Sequence, residues 1–160
     1  MANDNVGAMV IETTFERARQ MRVLNRLIVG CKDDGHAYRN AARDAVDPER
    51  RRQLLEMSRR RSAFAGELGV LVDDMGGSHA EHGSLSEALH RGARVLKVAL
   101  AGPHEGDVFR ECARIEGGVA ARYEKALGRS WPEAVRLVVS AQSREIESDH
   151  TKMRVLRGLY

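Results

Sequence analysis

The chain has 160 residues, of which 42% are hydrophobic and 31% charged, enough for one domain of ordinary size with a core of its own. Aromatic residues make up only 4%, so that core must rest on Leu, Val, Ala and Met. A formal net charge of +3 is too small an excess to imply a nucleic-acid partner, which would need cations gathered on one face. No apolar stretch reaches membrane-spanning length, so no membrane contact is expected. The N-terminal MANDNVGAMVIETT has no basic segment leading an apolar run of signal-peptide length. Cys31 and Cys112 lie far apart among apolar residues with no CxxC, as expected of buried thiols in a reducing compartment. These features predict a cytoplasmic protein.

Nearly every segment reads as helix. Residues 1–15 form a polar lead-in expected to be flexible, and a single bundle domain is expected over 16–160. The first helix is predicted over about 16–46, with Leu24, Leu27, Ile28, Cys31, Tyr38, Ala42 and Ala45 recurring at three- and four-residue spacing. Asp47-Pro48-Glu49 supplies a cap residue followed by proline at the first helical position, so a second helix starts there. Its apolar stripe is Leu54, Met57, Phe64, Leu68, Leu71 and Met75, and Gly76-Gly77 ends it. The connection at 77–106 holds a short helix over about 84–100, opened by the capping box Ser84-Leu85-Ser86-Glu87 and closed by Gly102-Pro103. A third long helix is expected from Asp107 to about Leu127, and Ser130-Trp131-Pro132-Glu133 reads as a capping box that opens the fourth. Two tight helical hairpins joined by a long crossover make an all-α, ferritin-like four-helix bundle, with the short helix in the crossover between the second and third helices.

Leu24-Asn25-x-Leu27-Ile28, Lys32-Asp33 and Tyr38-x-x-Ala41-Ala42 resemble the opening of a bacterial ferritin-like four-helix-bundle family of unknown function. Arg61-x-x-Phe64-x-x-Glu67-Leu68, Gly83-Ser84-Leu85, Ala88-Leu89-His90-Arg91-Gly92, Leu96-Lys97, Glu111-Cys112 and Tyr123 to Leu127 extend the resemblance over roughly residues 20–157. It implies the fold and carries no activity over to particular residues.

The polar residues near the apolar stripes are the candidates for chemistry. Gln142 lies close to the stripe of the last helix, and Asp149 and His150 straddle it. Glu147 and His150 have the Glu-x-x-His spacing of carboxylate-bridged metal bundles, but Glu147 points away from the stripe. Glu116 and Arg61 are central on theirs, Tyr38 is well inside, and Asp34 lies at an edge. Asp34 and Arg61 sit about 13 residues on either side of the first turn and should face one another. A buried polar network of Asp34, Tyr38, Arg61, Glu116, Gln142 and His150 is therefore expected, with Arg61 pairing Asp34 and Glu116. The alternative reading is a metal site for Fe, Mn or Zn built from Asp34, Glu67, Glu116 and His150. Against it stands Arg61, a permanent cation that cannot become a ligand. His79-x-x-His82, in a glycine-rich loop, reads as polar surface.

No Ser/His/Asp set, Cys–His pair or phosphate-binding glycine loop is present, so no catalytic residues are assigned. The expectation is a non-enzymatic structural or interaction protein, of a stress-related kind, working without a cofactor as a homo-oligomer, with a dimer as the simplest form.

Overall fold

The computed structural model describes residues 2–83, 94, 96–102 and 105–159. Four long helices make the fold: α1 (Ala2–Asp44), α2 (Pro48–Asp74), α3 (Glu105–Leu127) and α4 (Glu133–Leu159). The described part of the crossover adds a helical stretch at 96–101, and no strand occurs among the described residues. The Ser84–Glu87 capping box lies outside them. None of the described helices is long and apolar enough to cross a membrane.

Asp47 caps α2 by accepting hydrogen bonds from the Glu49 and Arg50 N–H groups, and Pro48 fills the first helical position, where an N–H would have no partner. At the other end Gly76 takes φ +76°, the left-handed conformation open to glycine at little cost, and donates to Asp73 O. Gly77 follows by donating to Val72 O at 3.0 Å, which closes the helix.

α3 starts at Glu105, two residues before the expected Asp107, and two other boundaries differ from the sequence reading for a clear local reason. α1 is helical from Ala2, not from about residue 16. Residues 2–15 hold no proline and a single glycine, so nothing in them stops the helix from propagating backwards. α4 starts at Glu133, not directly after Ser130. Trp131 turns into the core instead, and its Nε1 donates to Ala126 O at 2.8 Å, which holds the connection out of helical geometry.

Contacting residues give the directions of the helices. Gly35 pairs with Ser58, Cys31 with Tyr123 and Tyr38 with Glu116, so α1 runs antiparallel to both α2 and α3. Glu67 pairs with Gln142 and Arg60 with Asp149, so α2 is antiparallel to α4. α2 and α3 are therefore parallel, as a long crossover between them requires. They occupy a diagonal of the bundle and meet through side chains, not through adjacent backbones. At Gly35 the missing side chain lets α2 come close: an added Cβ would lie 3.4 Å from Ser58 O and from Arg61 Cβ.

The apolar core falls into two clusters. One is built around Leu24, Ile28, Phe64, Leu68, Trp131 and Ile146; the other around Ala41, Leu54, Leu96, Phe109, Cys112 and Met153. α1, at 43 residues, outruns α2 at 27, and the pairing of Gly35 with Ser58 sets Asp74 beside about residue 19 of α1. The first turns of α1 thus project roughly 25 Å beyond the bundle at 1.5 Å per residue. Ile11 and Phe15, one turn apart on this projection, are 57% and 67% exposed.

Replacing Asp47 by Ala should lower the unfolding free energy by about 1 kcal/mol through loss of the α2 cap. Urea denaturation would read the change in midpoint at constant slope.

Candidate functional site

The run Arg59-Arg60-Arg61 divides by helical geometry at about 100° per residue. Arg59 faces solvent, Arg60 is partly covered, and Arg61 is turned inward among Met57, Phe64 and Leu68, where it is 1% exposed. Across the diagonal it meets Glu116 of α3, which is 0% exposed, and Arg61 Nη2 donates to Glu116 Oε2. Tyr38 of α1 donates its hydroxyl to the other carboxylate oxygen, Oε1, at 2.6 Å. Both oxygens of Glu116 are thus engaged by groups from two different helices. The Arg61 guanidinium carbon also lies 5.5 Å from the centre of the Phe64 ring, a distance at which the ring's negative face attracts a cation. Arg61 Nε and Nη1 have no hydrogen-bond partner among the described residues.

Burial acts against the ionised Glu116 carboxylate and pushes its pKa up, while Arg61 and the Tyr38 hydrogen bond pull it back. Burial, and next the Glu116 charge, push the Tyr38 hydroxyl well above its usual range, so it stays a donor. Burial favours loss of the Arg61 proton, but Glu116, followed by Tyr38, Cys31 and Asp34, outweighs it and keeps the guanidinium charged.

A second polar rung lies seven residues along α3, about 10 Å away. Tyr123 donates to Gln142 Oε1 at 2.7 Å, which leaves the Cys31 thiol, 3.4 Å from the same hydroxyl oxygen, as a donor to it. Gln142 Nε2 donates to Glu67 Oε2 at 2.7 Å and reaches Phe64 O at 3.4 Å. Burial, with Cys31 next, pushes the Tyr123 hydroxyl up. At the rim of the bundle, Arg60 Nη1 donates to Asp149 and Arg122 Nη2 to Asp34, each at 2.5 Å. The start of the crossover is fixed from α1: Asn25 bonds Ser78 O and Ala80 N–H, and Lys32 donates to the carbonyls of Ala80 and Glu81. His79 Nδ1 sits 2.8 Å from Asp73, while His82 is exposed.

Of the six side chains expected in one network, Tyr38, Arg61 and Glu116 meet directly. Gln142 belongs to the neighbouring rung. Asp34 is bound by Arg122 on the α1–α3 seam: the level inferred from the turn is right, but Gly35, not Asp34, is the residue turned toward α2. Burial pushes the Asp34 carboxyl up against the pull of Arg122. His150 is half-buried on the outer face of the α3–α4 hairpin, where Cβ of a residue at position 117 would lie 3.3 Å from its Nε2.

The four side chains of the metal alternative are held in four different ways: Asp34 by Arg122, Glu67 by Gln142, Glu116 by Arg61 and Tyr38, and His150 against Gly117. Among the described residues no three His, Cys, Asp or Glu side chains converge as a metal-holding group. The Tyr123–Cys31 contact was not anticipated, although a tyrosine on an apolar stripe announces that its hydroxyl needs a partner inside. Arg122 gave no such signal, because an exposed arginine on a charged helix face looks like any other.

Removing one member of the central pair strands the other charge in the core. Arg61→Met and Glu116→Leu should each cost about 3–5 kcal/mol, and the double replacement should cost clearly less than their sum. A urea-denaturation cycle measures the coupling; strict additivity would show that the pair does not act as a unit.

The interior acids also set an alkaline limit. Burial pushes the Cys112 thiol up to about 12 from an ordinary value of 9.0, and raises Tyr38, Tyr123 and Cys31 as well. Between those values the unfolded chain has released a proton that the folded chain still holds, so stability falls as pH rises from 9.0 toward about 12. Urea midpoints at about pH 8 and about pH 10.5 should drop in that order, and Cys112→Ala should make the drop shallower.

No curated protein matches the sequence. A family model described as "Domain of unknown function (DUF2383)" matches residues 19–129. The match runs from within α1 to just past the end of α3, more than half of the chain, and takes in Tyr38, Arg61 and Glu116 but not α4. On that match, the chain belongs to the DUF2383 family, a family defined by a domain of unknown function.

Proposed function

We propose that the protein is a ferritin-like bundle of bacterial type that acts without catalysis, as a structural or interaction protein that self-associates. The parallel α2 and α3, joined by a long crossover, support the ferritin-like assignment. The observation that carries the non-catalytic reading is the Arg61–Glu116 pair. In a metal-bearing bundle the cation supplies the positive charge that inward carboxylates need. Here a side chain supplies it, and Tyr38 takes up the remaining carboxylate oxygen. A metal at this level would face the fixed charge of Arg61 and would have to displace two hydrogen bonds. The projecting start of α1, with Ile11 and Phe15 exposed one turn apart, supports self-association, since a paired copy is the simplest cover for such a face.

Elemental analysis of protein purified without chelator should find no stoichiometric Fe, Mn or Zn, and sedimentation should find an oligomer that Phe15→Ser weakens. Stoichiometric metal that disappears in Glu116→Ala and His150→Ala would replace this reading with the metal-binding one. A monomer at all concentrations would remove the self-association.

A further inference from the structure

The outer face of the α3–α4 hairpin carries a groove of about 580 Å³, edged by Arg110, Arg114, Gly117, His150, Arg154 and Arg157. The register of the hairpin explains how these residues meet. Gly117 lies against His150, and stepping away from that contact at equal rise in antiparallel helices brings Ala113 beside Arg154 and Arg110 beside Arg157. Two rails of cations therefore face each other along one side of the hairpin, and the His150 ring ends the row where Gly117 leaves room for it.

The charge in this groove is not balanced. Arg110 is paired with Asp107, and Arg114 grips Glu111 through Nε and Nη2. Arg154, Arg157 and His150 have no hydrogen bond or ion pair among the described residues, and Glu111 is the only acid in the lining. Arg154 and Arg157 sit one turn apart, and Arg157 also faces Arg110, so like charges are placed side by side. Arg52, Arg60 and Arg122 are matched to acids, Arg52 to Glu49, Arg60 to Glu56 and Asp149, and Arg122 to Asp34; what distinguishes Arg154 and Arg157 is that they share one groove with two further arginines and a histidine.

We infer that this groove is a binding site for a small polyphosphate anion, held by Arg154 and Arg157 with His150 at its end and with Arg110 and Arg114 on the facing rail. Guanidinium groups present paired N–H donors that match phosphate oxygens, and several of them along a line suit a ligand with several charges. His150 to Arg157 spans about 10 Å along α4, a length suited to a chain of phosphates and longer than a single one needs. The volume is in the range usual for small-molecule sites. Occupation would neutralise cations that otherwise repel, so the site does not depend on a rearrangement of the bundle. This inference is independent of the role proposed for the interior ion pair.

The probe is tripolyphosphate, titrated calorimetrically into the full chain at low salt. Saturable single-site binding is expected. The double replacement Arg154→Gln, Arg157→Gln should weaken it about tenfold or more, whereas Arg52→Gln, on a different exposed face, should leave it unchanged. Both arginines are exposed, and their removal relieves repulsion, so without ligand the double variant should melt no lower than the parent; tripolyphosphate should raise the melting temperature of the parent and not of the variant. ATP in a parallel titration separates the two sources of the same chemistry: equal affinity assigns the site to free polyphosphate, and tighter binding assigns it to a nucleotide. Absence of saturable binding, or an equal loss in Arg52→Gln, would overturn the assignment. So would a single-stranded oligonucleotide that binds and is not displaced by tripolyphosphate, since the groove would then be part of a nucleic-acid surface.

Discussion

A guanidinium and a carboxylate, both removed from water, meet across the diagonal of this bundle, and the helices are arranged to make that meeting tolerable. Desolvating two ions costs several kcal/mol each unless geometry and extra hydrogen bonds return it. Tyr38 supplies one such bond to Glu116, and the Phe64 ring lies against the guanidinium. Arg61 comes from α2, Glu116 from α3 and Tyr38 from α1, so the compensation exists only when three helices stand at one level. Sliding one of them by a turn would leave a charge in the core without its partner. The pair thereby acts as a register pin, a role to which buried polar groups are well suited even where they add little net stability.

The rest of the interior follows from that pin. The two apolar clusters lie on either side of it, one toward Trp131 and the hairpin turn, the other toward Leu54 and Met153. The second rung, through Cys31, Tyr123 and Gln142 to the exposed carboxylate of Glu67, brings in α4 and repeats the same logic with uncharged groups in its buried part. Between the two rungs every long helix contributes at least one buried polar side chain with a defined partner. A core poor in aromatic residues and rich in Ala and Val offers little shape to choose between neighbouring registers, and directional bonds supply that choice.

The exterior shows the opposite economy. Several surface arginines, among them Arg52, Arg60 and Arg122, are matched to acids within a turn or across a seam. Two surface features stand out: the groove along α3 and α4, where four arginines and a histidine share one lining, and the projecting start of α1, where Ile11 and Phe15 face water. Both lie outside the core that holds the interior pair, so a change at either leaves the Arg61–Glu116 contact in place.

Much of this architecture is local in origin. Asp47-Pro48 and Gly76-Gly77 fix where α2 begins and ends, because a cap, a preset φ and a left-handed turn are properties of a few adjacent residues. The inward placement of Arg61, Glu116, Tyr38 and Gln142 was legible too, since it follows from helical periodicity alone. Periodicity gives a direction from one helix axis and says nothing of what waits there. Asp34 was placed at the right level and still found Arg122, because which side of α1 meets α2 was settled by the closeness that Gly35 permits. His150, at the margin of its stripe, could have closed the interior network; packing of α4 against Gly117 put it at the end of an arginine groove. Trp131 left a capping position because the core offered it an apolar site and a carbonyl to bond. By itself, then, the sequence determined the helices, their limits where caps and glycines speak, and the face each one buries. The tertiary structure alone decided which buried charges became partners, because a pairing depends on the distance and rotation between helices, and those are set by the packing of the whole bundle at once.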